Sequence, residues 1–170
     1  MELKAVIRNI PDFPKPGILF RDITTLLKDK KAFKLAVDSL VKKYKGKKIE
    51  AVIAVESRGF ILGGAIAHSL GAGFVPVRKK GKLPWKTKNI TYELEYGVDT
   101  LEIHEDAVLP GSRVLIVDDL LATGGTVSAV TDLVKGLQAK IVGITFLIEL
   151  TELKGREKLK DYPVFSLIKF

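Results

Sequence analysis

The sequence predicts an α/β fold: a central, mainly parallel sheet with helices on both faces. Three observations carry that expectation. Short and almost wholly apolar runs, "EAVIAV" (50–55), "FVPV" (74–77), "RVLIV" (113–117) and "IVGITFLIEL", read as strands covered on both sides. These runs alternate with segments of helical apolar spacing, and the order βαβ, insertion, βαβ favours parallel pairing. The 170 residues suit one domain, 1–170, with a sizeable core.

From Lys31 to Tyr44, Phe33, Ala36, Val37, Leu40, Val41 and Tyr44 recur at spacings of three and four, which marks the buried face of an amphipathic helix. The lysine runs "KDKKAFK" and "KKYKGKK" around it read as a solvated face. After the strand at 50–55, "ESRGF" breaks the run; residues 60–70 resume helical spacing until Gly71 and Gly73 stop them. Residues 79–108 carry no helical period. There "ITYELEY" and "TLEIH" alternate around "GVD", predicting an exposed hairpin that interrupts the βα rhythm, and "RKKGKLP" (78–84) reads as a loop. The strand at 113–117 is expected to end at Val117. A helix over 124–137 follows, through Val127, Val130, Leu133, Val134 and Leu137, and then the fourth strand.

Hydrophobic residues make up 46% and charged residues 28%, the composition of a soluble globular chain. No run of about 18 apolar residues could span a bilayer, so no membrane partner is expected. The N-terminal "MELKAVIRNIPDF" has no apolar core or cleavage signature, which makes the cytoplasm the expected location. The absence of cysteine excludes disulfides, thiolate zinc sites and a cysteine nucleophile. Of the two histidines, His68 lies in the apolar helical run "FILGGAIAHSL" and is read as a packed or surface residue without a catalytic role. The net charge of +8 fits either nucleic acid or an electrostatic funnel for a polyphosphate. Abundant Lys and Glu with a single Gln and one Met is a balance often seen in heat-adapted proteins.

The stretch "VLIVDDLLATGGT" (114–126) carries the most chemistry. Ligands of open parallel sheets bind beyond the carboxyl ends of the strands. Asp118 and Asp119 therefore stand at the mouth of a site, where one can face a ligand's hydroxyls or its metal ion while the other makes a structural contact. Ala122, Thr123, Gly124, Gly125 and Thr126 precede a helix, and their small side chains let successive N–H groups surround an anion at its positive end. Neither G-x-x-x-x-G-K-[ST] nor a G-x-G-x-x-G after the first strand is present, so ATP hydrolysis and NAD chemistry lose ground. A phosphate beside carboxylates placed for sugar hydroxyls has the polarity of a ribose 5-phosphate.

This stretch resembles the phosphoribosyl-diphosphate motif of the type I phosphoribosyltransferases. "FPKPGILFRDITTLL" (13–27), "ESRGF" (56–60), "RKKGKLP", "YELEYG" (92–97) with "LEIH", and "ELTELKGREKL" (149–159) are similar to the adenine phosphoribosyltransferases among them. The resemblance implies the type I phosphoribosyltransferase fold, with an N-terminal hood at about residues 1–30 and a mobile hairpin loop at about 79–108. It implies the reaction of adenine with 5-phosphoribosyl 1-diphosphate to give AMP and diphosphate, a purine salvage step. The implied roles place the 5-phosphate on residues 122–126 and the sugar hydroxyls near Asp118 and Asp119. The diphosphate falls to Ser57, Arg58 and Gly59, with a cis peptide between Glu56 and Ser57, and to Arg78, Lys79 and Lys82. Leu19 and Arg21 contact adenine through their backbone, Phe20 stacks on it, and Leu150 closes the other side. Glu95 is implied in handling protons on the purine, Tyr96 packs at the reaction centre, and Arg58 serves the diphosphate there. Mg²⁺ is implied, held mainly by substrate and water with Asp118 and Asp119 nearby, and so is a homodimer. Trp85 and His104 depart from the family pattern. Two other readings are a phosphoribosyl-diphosphate sensor that binds nucleic acid, and an enzyme for xanthine or hypoxanthine. The chain leaves no room for a separate DNA-binding domain before its first core strand, and "ILFRDIT" favours adenine, so no nucleic acid is expected.

Overall fold

The computed structural model describes residues 2–94 and 97–170. In chain order the elements are β1 (Arg8–Ile10), β2 (Phe20–Asp22), α1 (Thr24–Lys28), α2 (Lys30–Tyr44), β3 (Ala51–Val55), α3 (Arg58–Leu70), β4 (Gly73–Lys79), β5 (Thr87–Glu93), β6 (Val98–His104), β7 (Arg113–Leu121), α4 (Gly125–Gly136), β8 (Lys140–Glu149) and β9 (Val164–Lys169). Seven strands form one sheet in the order β5-β6-β4-β3-β7-β8-β9, while β1 and β2 make a separate antiparallel ribbon. The strands from β4 through β9 in that order run parallel, and β5 and β6 are an antiparallel hairpin on the β4 edge.

The two faces of the sheet follow the alternation of side chains along each strand. Val52, Ala54, Leu115 and Val117 pack beneath α2 and α3 with Leu40, Leu62 and Ile66. Their neighbours Ile53, Val55, Val114 and Ile116 face the other way, onto Val127, Val130 and Val134 of α4. With both faces covered, central strands need no polar alternation, which explains the wholly buried β3. Asp29 starts α2 by accepting the N–H groups of Lys31 and Ala32, each at 2.9 Å, and Gly71 ends α3 in the left-handed conformation. The lysines of α2 lie on its solvent side, as the sequence suggested.

The structure revises several expectations. Strand β7 does not end at Val117: it continues to Leu121, because β8 keeps pairing with it as far as Leu121 against Glu149. On its other side β3 pairs only to Ala54 against Val117, so Asp118 and Asp119 sit on a strand that outruns its neighbour. Arg78 and Lys79 are not loop residues but the last of β4, opposite Glu102 and Leu101. The hairpin is not a wholly exposed insertion either, since Leu101 and Ile103 of β6 are buried in the α4-side core. The sequence reading missed β9, α1 and the β1–β2 ribbon. The ribbon and α1 occupy the segment expected to be the hood, tied down by buried Ile7, Ile23 and Leu26 and by Asp22, whose carboxylate accepts the Thr24 N–H and hydroxyl at 2.9 Å each. Among the described residues no helix is long and apolar enough to cross a membrane.

Helix α3 lies tightly on β3 through one glycine. A Cβ on Gly63 would stand 2.5 Å from Ala54 Cβ and 3.1 Å from the Phe74 ring, whereas one on Gly64 would meet nothing within 4 Å. Gly63→Ala is expected to destabilise the fold by about 1–3 kcal/mol through overpacking. Gly64→Ala should instead stabilise it by about 0.5–1 kcal/mol through helix propensity. Urea unfolding of the two variants reads the opposite signs.

Candidate functional site

A cleft of about 560 Å³ opens where β7 outruns β3. Its wall includes Ser57 and Arg58 at the start of α3, Lys79 at the end of β4 and Lys82 after it, Asp118 and Asp119 on β7, and Ala122, Thr123, Gly124, Gly125 and Thr126 at the start of α4. The starts of α3 and α4 thus meet at one opening from opposite faces of the sheet, each bringing the positive end of a helix to it. Gly124 precedes α4 with φ 81°, a left-handed conformation that glycine adopts without penalty.

The two aspartates divide their work. Asp119 is buried, and its Oδ2 accepts from Arg58 Nε at 2.5 Å, so it makes a structural contact. Asp118 Oδ1 accepts the Asp119 N–H at 2.8 Å and packs on the first turn of α3, where a Cβ on Gly59 would come within 2.8 Å of it. That close approach gives Gly59 a reason for lacking a side chain. Burial, and then the neighbouring Asp119 charge, push the Asp118 carboxyl well above the usual carboxylate range.

Glu56 is the residue that sequence reasoning missed. Its carboxylate meets Arg78 Nε at 3.1 Å, Lys82 Nζ at 3.2 Å and the Lys79 N–H at 3.2 Å. Lys79 Nζ reaches Asp99 at 3.2 Å. Every expected diphosphate cation therefore rests on a carboxylate: Arg58 on Asp119, Arg78 and Lys82 on Glu56, Lys79 on Asp99. The available signal was a charged residue directly after the buried run 51–55; Asp99 gave none, reading as part of a turn. Burial pushes Glu56 upward, but the Lys79 N–H, Lys82 and Arg78 outweigh it and hold its pKa below the ordinary value. Gly81, with φ 83°, turns the loop that carries Lys82, and its N–H donates to buried Glu102 at 3.0 Å. The peptide between Glu56 and Ser57 is cis.

The residues expected to hold adenine are not among those that form the cleft's wall. Phe20 lies under the Arg58 guanidinium, 5.7 Å from ring centre to carbon, and meets Phe13 edge-on at 5.1 Å. Leu19 is 46% exposed, while Arg21, opposite Asn9 in the β1–β2 ribbon, turns its side chain onto the Phe170 ring at 3.9 Å. Leu150 packs at the end of β8, its N–H donating to Leu121 at 2.9 Å. Glu95 and Tyr96 lie outside the described residues; the flanking Tyr92 and Leu94 line the cleft, and the Tyr92 hydroxyl is 3.3 Å from that of Thr126. Trp85 and His104 do not line it, and His104 Nε2 is buried without a hydrogen-bond partner. Among the described residues no cluster of three or more His, Cys, Asp or Glu forms a metal cage.

Because its folded pKa is depressed, Glu56 contributes stability above its ordinary value of 4.5, and that contribution is lost as the pH falls through the lower folded value. Glu56→Gln is expected to cost about 1–3 kcal/mol at neutral pH. The gap to the unsubstituted protein should close below pH 4.5, as denaturant titrations at several pH values would show.

Comparison with known proteins identifies the family. Residues 24–170 match the phosphoribosyl transferase domain family. The adenine phosphoribosyltransferase of Citrifermentans bemidjiense is 60% identical over 169 residues, covering 99% of each chain. The crystal structure of the Thermoanaerobacter pseudethanolicus adenine phosphoribosyltransferase superposes with a TM-score of 0.96 at 57% identity, covering 99% of this chain and 98% of that one. The Saccharomyces cerevisiae enzyme, crystallised with adenine and an imino-altritol bisphosphate, gives 0.92 at 44% identity over 98% and 96% of the two chains. On its sheet order, its cleft and these full-length likenesses, the chain belongs to the phosphoribosyl transferase family, among the adenine phosphoribosyltransferases.

Proposed function

We propose that the cleft transfers the phosphoribosyl group of 5-phosphoribosyl 1-diphosphate to adenine, giving AMP and diphosphate. The observation that carries this reading is the meeting, at one opening, of two anion-binding helix starts with a carboxylate pair between them. A ligand suited to it is anionic at both ends and hydroxylated in the middle. Residues 122–126 take the 5-phosphate through backbone N–H groups and the Thr123 and Thr126 hydroxyls. Asp118 faces the sugar hydroxyls, while Asp119 keeps Arg58 in place.

At the other end Ser57, Arg58, Gly59, Arg78, Lys79 and Lys82 receive the diphosphate. As the C1′–oxygen bond lengthens, negative charge grows on the leaving group and positive charge on the ribose ring, and fixed cations near the former lower the barrier. The residues suit a Mg²⁺ that arrives with its own ligands: the wall is cationic, and Asp118 and Asp119 are the nearby carboxylates. When bound, that ion would offset charge on the diphosphate. Phe20 stacks on adenine with Arg58 beside its ring, Leu19 and Arg21 offer backbone groups, and Leu150 closes the far side. Backbone donors and acceptors separate a 6-amino from a 6-oxo purine because the wrong partner leaves buried groups unpaired. Glu95 manages the purine proton and Tyr96 packs at the reaction centre; both roles rest on family membership. The hairpin serves as the loop that closes the site, and the enzyme works in the cytoplasm as a homodimer. Ile61 and Phe74, 46% and 39% exposed, leave apolar surface on α3 and β4 for a second copy.

Offered each purine separately with phosphoribosyl diphosphate and Mg²⁺, the protein should form AMP from adenine and no nucleotide from hypoxanthine, guanine or xanthine, read by chromatography. Conversion of an oxopurine alone would remove the hood assignment; binding without any conversion would favour the sensor. Phe20→Leu is expected to raise KM for adenine about tenfold by loss of stacking. KM for the diphosphate substrate should stay unchanged. Sedimentation should give twice the 18.7 kDa chain mass, and a monomer would refute the dimer.

A further inference from the structure

The segment after β8 folds back over the phosphate loop. Residues Thr151–Leu153 and Gly155–Leu159 form two 3₁₀ turns joined by Lys154, whose φ is 52°. Gly155 is pressed onto the loop so closely that a Cβ there would strike the Ala122 carbonyl and lie 3.1 Å from Gly124 N. Arg156 fixes the turn from behind. Its Nε and Nη2 each donate to a Glu149 oxygen at 2.7 Å, and Nη1 donates to the Val164 carbonyl at 2.8 Å. Glu149 is itself buried, so this forked pair is held rigidly.

Two residues further on, Lys158 reaches back over the start of α4. Its Nζ lies 3.8 Å from where a Cβ on Gly125, the first residue of that helix, would be. An ammonium at this point faces the positive end of a helix, which is electrostatically unfavourable unless an anion lies between them. Among the described residues Lys158 has no carboxylate partner, unlike the cations that line the cleft, Arg58, Lys79 and Lys82. Backbone N–H groups supply only partial charges, whereas a phosphate monoester carries close to two full ones at neutral pH.

We propose that Lys158 is a further binding residue for the substrate's 5-phosphate, supplying a full charge opposite the backbone donors of residues 122–126. Gly155 and the Glu149–Arg156 pair set the turn from which it reaches. The proposal rests on the reading of residues 122–126 as the phosphate loop.

Calorimetry on the full chain, with ribose 5-phosphate and inorganic diphosphate as separate probes, tests it. Lys158→Ala is expected to weaken ribose 5-phosphate about tenfold, the scale of one charge-assisted hydrogen bond. Diphosphate affinity, KM for adenine and the unfolding midpoint should stay unchanged, and Lys158→Arg should restore most of the loss. Unaltered ribose 5-phosphate binding by Lys158→Ala overturns the proposal. Thr126→Val separates the two levels of failure. If it weakens ribose 5-phosphate while Lys158→Ala does not, only the lysine assignment falls; if neither variant does, the phosphate-loop reading falls with it.

Discussion

A parallel sheet covered on both faces has one polar exit, the edge where its strands end, and the rest of this structure follows from how that edge is cut. β7 runs on to Leu121 beside β8 while β3 stops at Val55. The step between them exposes a short length of strand at the bottom of a crevice, and the two helices that leave these strands start on either side of it. Charge on Asp119 that would be costly inside the sheet becomes tolerable here, because the Arg58 guanidinium meets it. The functional residues are therefore gathered by topology, although they come from segments far apart in the chain.

Glycine makes the gathering tight. Gly59 admits the Asp118 carboxylate against α3, and Gly155 admits a backbone turn against residues 122–124. In each case a side chain would separate groups that must touch. The positive φ of Gly124 is a different use, since there the backbone conformation is what demands the residue.

Much of this was legible beforehand, for identifiable reasons. Strands buried on both faces announce themselves by unbroken apolar runs, so β3 and β8 were found, and the spacing from Phe33 to Tyr44 gave α2 because its lysines face water. "DDLLATGGT" pointed to the cleft, since two aspartates at the end of an apolar run need partners that a buried strand does not supply. The length of β7 was hidden because Asp118 and Asp119 look like a strand terminus, yet the pairing with β8 carries the strand past them. β9 was missed as the last strand of a sheet whose edge needs less apolar character: "VFSLIK" is only partly buried. Glu56 was hidden for another reason. Its partners Arg78 and Lys82 lie more than twenty residues away and had already been assigned to the ligand, so nothing local indicated that a carboxylate held them.

That carboxylate also sets a threshold for what can enter. The cations around the cleft are not free charges awaiting any anion; each already has a counter-ion supplied by Glu56, Asp99 or Asp119. An incoming group must compete with those pairs, so a singly charged anion gains little by exchange, whereas a polyanion contacting several cations at once recovers more than it displaces. Paired in this way, a basic patch favours charge density over charge alone, and its cations are held in fixed positions.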